Sequence, residues 1–551
     1  MIGDLALLPL SQLEVLVVDC QATAAAPHGH LLEIAWARVL GTVADLRTHL
    51  VALPIGASIP PAVTRITGIS EPMVRDGVDP DLAWRELAED AARFTTQPAP
   101  TVIHYARFER PFLRALARGE PPLDIVCTHE IACRLLPDLP RRSLRALVGY
   151  LGGGLGVLRR SAEHVEATAF LWHRLVQRLE DEGVATWAAL RAWLATPVAS
   201  PRRLRRVWPM PREARLALPK SPGIYRMLRT TGDILYVGKA SSLHHRVNSY
   251  FRKQHGGDER TLEMLTQARA ISLEVTATPL EAALLEADEI KRCLPPYNLA
   301  LTLADRAVWF ASPDLGERSP RPLESCPLGP FPSADTLDQF SALARADHAA
   351  LASDRWGPDP ATFQAGYERF CASHPELSRI DLTPPARLLR LGTRLWREGC
   401  RDRDPEEDQD ATDSDRRVTA WTPELVHVQL ERLALRAALA RRRAMWLTRL
   451  VDASVAWREP GASGARLLVI KGGEVVLSAD ADPGGPPPIP AGYARSVMAR
   501  RELFIVASFD RLRVLTTELK RLVTAGAPVA LRFATGPALR DARLAAALWW
   551  V

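Results

Sequence analysis

The chain has 551 residues, too many for one hydrophobic core, and its length alone suggests three or four domains. Its 70 Lys plus Arg against 64 Asp plus Glu leave a formal charge of +6, a balance that suits a nucleic-acid partner without establishing one. The seven cysteines, at 20, 127, 133, 293, 326, 371 and 400, include no CxxC pair, which argues against a zinc site or a disulfide framework. The opening MIGDLALLPL lacks a basic n-region and carries Asp4, and no apolar run approaches the roughly 18 residues a membrane helix needs. A cytoplasmic protein with no membrane partner is expected.

Residues 14–23, EVLVVDCQAT, form an apolar run ending in a polar turn, the way a buried strand delivers an acid to the edge of a sheet. HLLEIAWARVL and LRTHLVAL predict two more strands, and IPPAVTRITGISEPMV follows with a turn at Thr67-Gly68-Ile69. With HYARFERPFL at 104–113 and LPRRSLRALVGYLG at 139–152, the segment 15–175 resembles the DEDD exonucleases. The likeness is to their DEDDh branch, typified by the epsilon subunit of DNA polymerase III. The resemblance implies an RNase H-like fold over 1–185. It also implies two metal ions on four carboxylates, starting from an Asp-x-Glu pair, with a histidine near the last.

The catalytic positions depart from that pattern. Here the pair reads Asp19-Cys20-Gln21, so an amide replaces one carboxylate, and Glu109 stands for the next aspartate. Aligned through VEATA, Arg159 takes the histidine position and His164 that of the final aspartate. Two adjacent divalent cations need negative charge to hold them. A weak or inert domain that helps hold DNA is therefore expected. Asp19 and Glu109 remain candidates for a single metal, with His164 as ligand or base. Glu33, His104 and Glu166 read as structural or surface residues.

Residues 186–215 read as a linker. TPVASPRRLRRVWPMP combines prolines with Arg202, Arg203, Arg205 and Arg206, which either touch the DNA backbone or form a solvated tether.

The segment 216–301 speaks most clearly about chemistry. It contains SPGIYRMLRTTGDILYVGKASSLHHRVNSYF and, after a spacer, TPLEAALLEADEIKRCLPPYNLAL. Hydrolysis of a phosphodiester needs a base for water, cations for the charge growing on the phosphoryl oxygens, and usually a metal. Tyr236 is a candidate base, although a free phenol with a pKa near 10 needs nearby cations to ionise at neutral pH. Lys239 follows it, and Arg246 shares a predicted helical face with Tyr250 at i+4. Gly238 lets backbone approach a ligand. Glu286 lies in an Ala/Leu-rich helical run, and one carboxylate there suits a Mg²⁺ that keeps most of its waters; oxygen donors suit Mn²⁺ as well.

Singly, each of these residues has an ordinary structural reading. Their order, spacing and types together match one site. Gly223-Ile224-Tyr225 and Tyr236-Val237-Gly238 are the paired tripeptides of the GIY-YIG nuclease domain, and 218–301 resembles the branch found in the UvrC excinucleases. Only six lysines occur in the whole chain, so Lys239 at the motif's position is a rare draw. The resemblance makes Glu286 the metal ligand, Tyr236 the base and Arg246 the phosphate clamp. Tyr225, Lys239, Tyr250 and Asn298 would form the supporting shell.

Downstream, 302–400 mixes Pro-rich stretches with helical runs, and RDRDPEEDQDATDSDRR at 401–417 predicts an acidic disordered linker over 401–420. Within 421–551 a helix is expected from Pro423, capped by Thr422. RLLVIKGGEVVLSA predicts a hairpin turning at Gly472-Gly473, and FIVASFDRLRVLTTELKRLVTAG a strand then a helix. This is an α+β module in a multidomain α/β and α+β chain. No second-nuclease motif or tandem helix-hairpin-helix completes the likeness to the UvrC excinucleases, so it supports only the incision chemistry of the GIY-YIG domain.

The expected activity is that of a metal-dependent DNA-repair endonuclease acting on damaged duplex, with excision-repair proteins as partners. Two alternatives stand: a 3′–5′ exonuclease with an accessory GIY-YIG domain, and a non-enzymatic DNA-binding adaptor working through 302–551.

Overall fold

The computed structural model describes residues 8–548 except 96, 155, 157, 198–205, 253–257, 303–306, 314–316, 346, 352–357, 379–383, 399–420, 482–486 and 490–494. Arg202, Arg203, Arg205 and the acidic stretch 401–417 lie outside the described residues. The chain divides into two compact units. The first comprises 1–221, 225–275 and 295–297, the second 222–224, 276–294 and 298–551.

In the first unit, strands β1 (Val15–Ala22), β2 (Leu31–Leu40), β3 (Thr42–Leu50), β4 (Ala99–Ile103) and β5 (Leu123–Cys127) form a sheet in the order β3-β2-β1-β4-β5. β1 pairs antiparallel with β2 and parallel with β4. A central strand covered on both faces reads as a continuous apolar run, and β1 is buried from Val15 to Cys20. Val15 and Val17 share a core with Val165, Leu171 and Trp172 of the helix Ser161–Asp181. Leu16, Val18 and Cys20 instead pack with Ala83, Leu87 and Leu113 of the helices Pro80–Ala92 and Ala106–Ala117. The two-residue alternation of a strand therefore sends Asp19 and Cys20 to opposite faces.

This domain extends past the expected boundary at 185. Thr186 accepts a hydrogen bond from Ala189 N at 3.2 Å to cap the helix Trp187–Ala195. Trp187 and Leu190 are buried in the same core, and Trp187 Nε1 donates to Asp124 Oδ2 at 2.8 Å. The buried face of this helix, rather than a tether, begins where a linker was expected. Arg206, the one described member of the arginine group, is half-buried and not on a free tether.

From Tyr225 on, the same unit carries β6 (Gly223–Leu228), β7 (Ile234–Ala240) and β8 (Ala270–Val275), in the order β7-β6-β8, with the helices Leu243–Arg252 and Glu259–Gln267. Met210, Leu218, Met227, Leu235, Met264 and Tyr297 fill its core. Ser143 Oγ donates to Glu263 Oε2 at 2.5 Å and Arg269 lies over the Tyr150 ring at 4.2 Å, tying this fold to the N-terminal one.

In the second unit, β9 (Trp309–Ala311), β10 (Arg318–Ser319) and β11 (Leu328–Phe331) form a small sheet, and helices including Pro360–Ser373 and Pro384–Glu398 pack on the first half of the helix Pro423–Leu450. The second half of that helix supports a sheet of β12 (Ala453–Trp457), β13 (Ala465–Lys471), β14 (Glu474–Ala481), β15 (Val529–Phe533) and β16 (Leu539–Arg540). Because one helix serves both cores, 302–400 and 421–551 are not separate modules. Thr422 Oγ1 accepts from Leu425 N to start it. Gly472 and Gly473, at φ 61° and 79°, close the β13–β14 hairpin, as two-residue turns require.

The strand expected around Ile505 does not form. Ser508 Oγ accepts from Ile505 N at 3.0 Å and begins the helix Val506–Thr524, so the short β-branched run serves as a cap. Among the described residues no helix is long and apolar enough to cross a membrane.

Candidate nuclease site

Tyr225, on β6, is fully buried, and its hydroxyl shares a 2.9 Å hydrogen bond with the hydroxyl of Tyr250 on the helix Leu243–Arg252. Half-buried Tyr236 on β7 completes a triangle of rings, with centroids 6.1 Å (Tyr225–Tyr236), 6.3 Å (Tyr225–Tyr250) and 6.4 Å (Tyr236–Tyr250) apart. Arg246, one turn before Tyr250, sets its guanidinium carbon 5.1 Å from the Tyr250 centroid. That contact is within cation–π range. Partial burial works against the guanidinium charge, but Tyr225 and Tyr250 favour it, and its pKa is raised overall.

Burial, then Tyr250 and Tyr236, push the Tyr225 phenol well above its ordinary pKa, and the opposing pull of Arg246 is smaller. Tyr225 is therefore a neutral group that holds Tyr250, on whose ring Arg246 lies. Asn248 was not singled out by its sequence pattern. It is buried, and its Nδ2 donates to Arg215 O at 2.9 Å and His244 O at 2.8 Å, which anchors the helix carrying Arg246 and Tyr250.

Gly238 packs against the tyrosine cluster. A Cβ there would lie 2.4 Å from the Tyr225 hydroxyl oxygen and 2.8 Å from Tyr236 Cε1. The missing side chain makes room for the tyrosine cluster. Gly238→Ala is expected to cost about 1–3 kcal/mol, the usual range for overpacking. It should also lower activity by displacing Tyr225 and Tyr236; thermal unfolding and cleavage rates of the full chain check both effects.

Lys239 is exposed at the end of β7. Glu286 is half-buried on the helix Pro279–Cys293, and Asn298 is half-buried, both in the second unit. That helix starts with a capping box in which Thr278 accepts from Glu281 N and Glu281 accepts from Thr278 N. Glu281, Asp288 and Glu289 on the same helix are ion-paired with Arg466, Arg511 and Arg292. The structure thus brings Tyr225, Tyr236, Arg246 and Tyr250 together in the first unit.

At the exonuclease-like positions, His164 Nδ1 lies 3.1 Å from Asp19 Oδ1, and Gln21 Nε2 donates to Asp19 Oδ2 at 3.3 Å. Glu109 is buried, and its Oε2 has no hydrogen-bond partner. Burial first, and then the charge of Asp19, push the Glu109 carboxyl well above its ordinary pKa, which favours the neutral acid. Arg159 is exposed, with its N–H donating to Glu163. Glu33 is buried against Arg160 and the N–H of Ser161 at the start of the helix bearing His164. His104 donates to or accepts from Thr128 Oγ1 at 2.9 Å, and burial lowers its pKa to about 3, so it is neutral.

Burial works against a charged His164, but Asp19 outweighs it and raises the His164 pKa. A raised folded pKa means that the pair's contribution to stability is present below the unfolded histidine value and is lost as pH rises through the folded one. Asp19→Asn is expected to lower the His164 pKa, as an NMR titration would read. The stability advantage of the wild type over this variant should shrink from pH 5 towards pH 8, a window around the ordinary histidine value of about 6.5.

Residues 221–299 match the family model of the UvrC-like GIY-YIG domain, so the chain carries a nuclease domain of that class. A Mycobacterium tuberculosis protein whose name proposes a bifunctional exonuclease/endonuclease is 31% identical over 355 residues, 61% of this chain and 52% of that protein. The UvrABC system protein C of Legionella pneumophila is 50% identical over 84 residues, 15% of this chain and 13% of that protein. The chain thus spans about half the length of the first of these relatives and a smaller share of the second. A structure of Exonuclease X with 5′-overhanging duplex DNA is 22% identical, with a TM-score of 0.24, over 31% of this chain and 93% of that one.

Proposed function

We propose that the chain is a cytoplasmic DNA-repair endonuclease whose GIY-YIG domain hydrolyses one phosphodiester bond. The observation that carries this reading is the Tyr225–Tyr236–Tyr250 cluster with Arg246 held against it, inside a segment that matches the UvrC-like GIY-YIG domain. Tyr236 is assigned as the base and Arg246 as the clamp on the phosphoryl oxygens. Tyr225, Lys239, Tyr250 and Asn298 support them. Glu286 would hold one Mg²⁺ or Mn²⁺; a single carboxylate is an oxygen donor that suits such an ion while leaving it most of its waters. The metal would supply Lewis-acid stabilisation of the charge on the phosphate. Damaged duplex is the substrate of this reading, and excision-repair proteins are its partners.

The exonuclease-like domain holds or positions DNA in this proposal. The placement of His164 and Gln21 against the Asp19 carboxylate supports that role over a two-metal site, because an imidazole and an amide stand beside Asp19 where two cations would need further carboxylates.

The test is incubation of the full chain with Mg²⁺ and a duplex carrying one bulky adduct, labelled separately at each end of the damaged strand, beside Glu286→Ala. A discrete cut near the adduct, lost in the variant, is the expected result. A ladder of shortened strands that persists in Glu286→Ala and disappears in Asp19→Ala would assign the activity to the N-terminal domain instead. DNA binding without metal-dependent cleavage of any substrate would point to an adaptor.

A further inference from the structure

In the second unit, five arginines converge on one groove. Arg390, Arg394 and Arg397 come from the helix Pro384–Glu398, and Arg441 and Arg442 from Pro423–Leu450. They line a cavity of about 1060 Å³ in which Glu398 is the one acidic residue among the described lining residues.

The packing enforces this convergence. The two helices meet at Gly392, where an added Cβ would lie 2.1 Å from Ala434 O and 2.9 Å from Ala438 Cβ. No larger residue permits that approach, and it sets the arginines of the two helices side by side. Burial, then Arg397 and Arg441, lower the pKa of Arg442, as crowding of like charge requires. Arg390, Arg397 and Arg441 are exposed, so their charge is available to a ligand.

Arg394 is oriented by a neighbouring relay. Its Nη2 donates to His374 Nδ1 at 2.9 Å, which places the imidazole proton on Nε2, and Nε2 donates to Glu431 Oε1, also at 2.9 Å. His427 Nε2 lies 3.3 Å from the same oxygen. His374, His427 and Glu431 have the spacing of a metal site. The tautomer imposed by Arg394 occupies with a proton the His374 nitrogen such an ion would use, so the cluster reads as a support for the groove.

From this geometry we infer that the Arg390–Arg397–Arg441 groove binds the phosphate backbone of DNA, as a sequence-independent site separate from the nuclease cluster. Guanidinium groups pair with phosphate oxygens through charge-assisted bonds. A crowded cationic groove is stabilised when a polyanion replaces its counterions. The inference rests on DNA being the substrate. It is tested by binding alone, so failure of the cleavage assignment leaves it readable.

The experiment compares Arg390→Ala/Arg397→Ala/Arg441→Ala with a control of equal charge, Arg458→Ala/Arg513→Ala/Arg543→Ala, built from exposed arginines of the second unit that do not line the groove. Full-length proteins are titrated onto an undamaged duplex in EDTA, where metal-dependent cleavage is absent, from about 50 to about 200 mM salt. Circular dichroism confirms that both variants fold. Each lost phosphate contact removes about 0.9 from the slope of log K against log salt, so the groove variant should lose between about 1 and about 3 units of slope. Its affinity at low salt should also fall, with the control close to wild type. Equal losses in both variants, or none in either, overturn the site. Polyglutamate competing better than DNA of the same charge would also overturn it, in favour of an acidic protein partner.

Discussion

Glu286→Ala is expected to bring cleavage down to the level seen without metal while leaving DNA affinity nearly intact. The substitution removes an oxygen donor and leaves the cationic surface alone, and a metal held through one carboxylate has no protein ligand to replace it. Glu286→Gln should fail almost as completely, because it keeps the shape and removes the charge. Arg246→Ala belongs with these variants but should be milder. Loss of one group aimed at developing charge costs about 10²–10³ in rate. Single-turnover cleavage with enzyme in excess separates these effects from binding. If Glu286→Ala cuts at the wild-type rate, the assignment of this helix to the metal is wrong.

The largest effect on stability is expected at the other end of the same helix. Lys291 Nζ lies 3.1 Å from Asp510 Oδ2, with the side chains 6% and 1% exposed, and Nζ also donates to Ala287 O at 3.2 Å. Lys291→Ala removes the ammonium that faces the buried Asp510 carboxylate, and breaking a buried pair in this way costs about 3–5 kcal/mol. Replacing both partners, as in Lys291→Met/Asp510→Leu, should recover most of that loss, because paired burial itself contributes little. Denaturant unfolding of the two variants reads the difference; equal losses in both would show that the ion pair is not the source. Arg511 binds Asp288 through contacts of 3.0 and 3.1 Å from Nε, and Arg466 binds Glu281, so the helix is held at three acid or base positions around Glu286. Lys291→Ala should therefore also reduce cleavage, in proportion to the unfolded fraction and without changing the metal requirement.

Much of the site was legible in the sequence because its signal is local. Tyr225, Tyr236, Arg246 and Tyr250 sit within a short stretch, and strand alternation and the four-residue helical repeat place them. The apolar run of β1, the Thr422 cap and the Gly472-Gly473 turn are likewise written in a few neighbouring residues. What short-range pattern does not carry is which distant residues meet. Only the packed structure shows that Gly238 makes room for Tyr225, that His164 pairs with Asp19 across 145 positions of chain, and that Glu109 lies buried. The boundary at 185 and the strand at Ile505 were misplaced for the same reason: burial of Trp187 and Leu190 and the cap from Ser508 outweighed local propensity. The arginine groove depends on tertiary structure most of all. Its two arms are separated in sequence by an acidic stretch, and they meet because Gly392 alone lets two helices close on Ala434 and Ala438. The sequence by itself determined the class of chemistry, since residue types and spacing carry it. Tertiary packing decided which charges are paired, neutral or crowded, since those depend on burial and on neighbours far away in the chain.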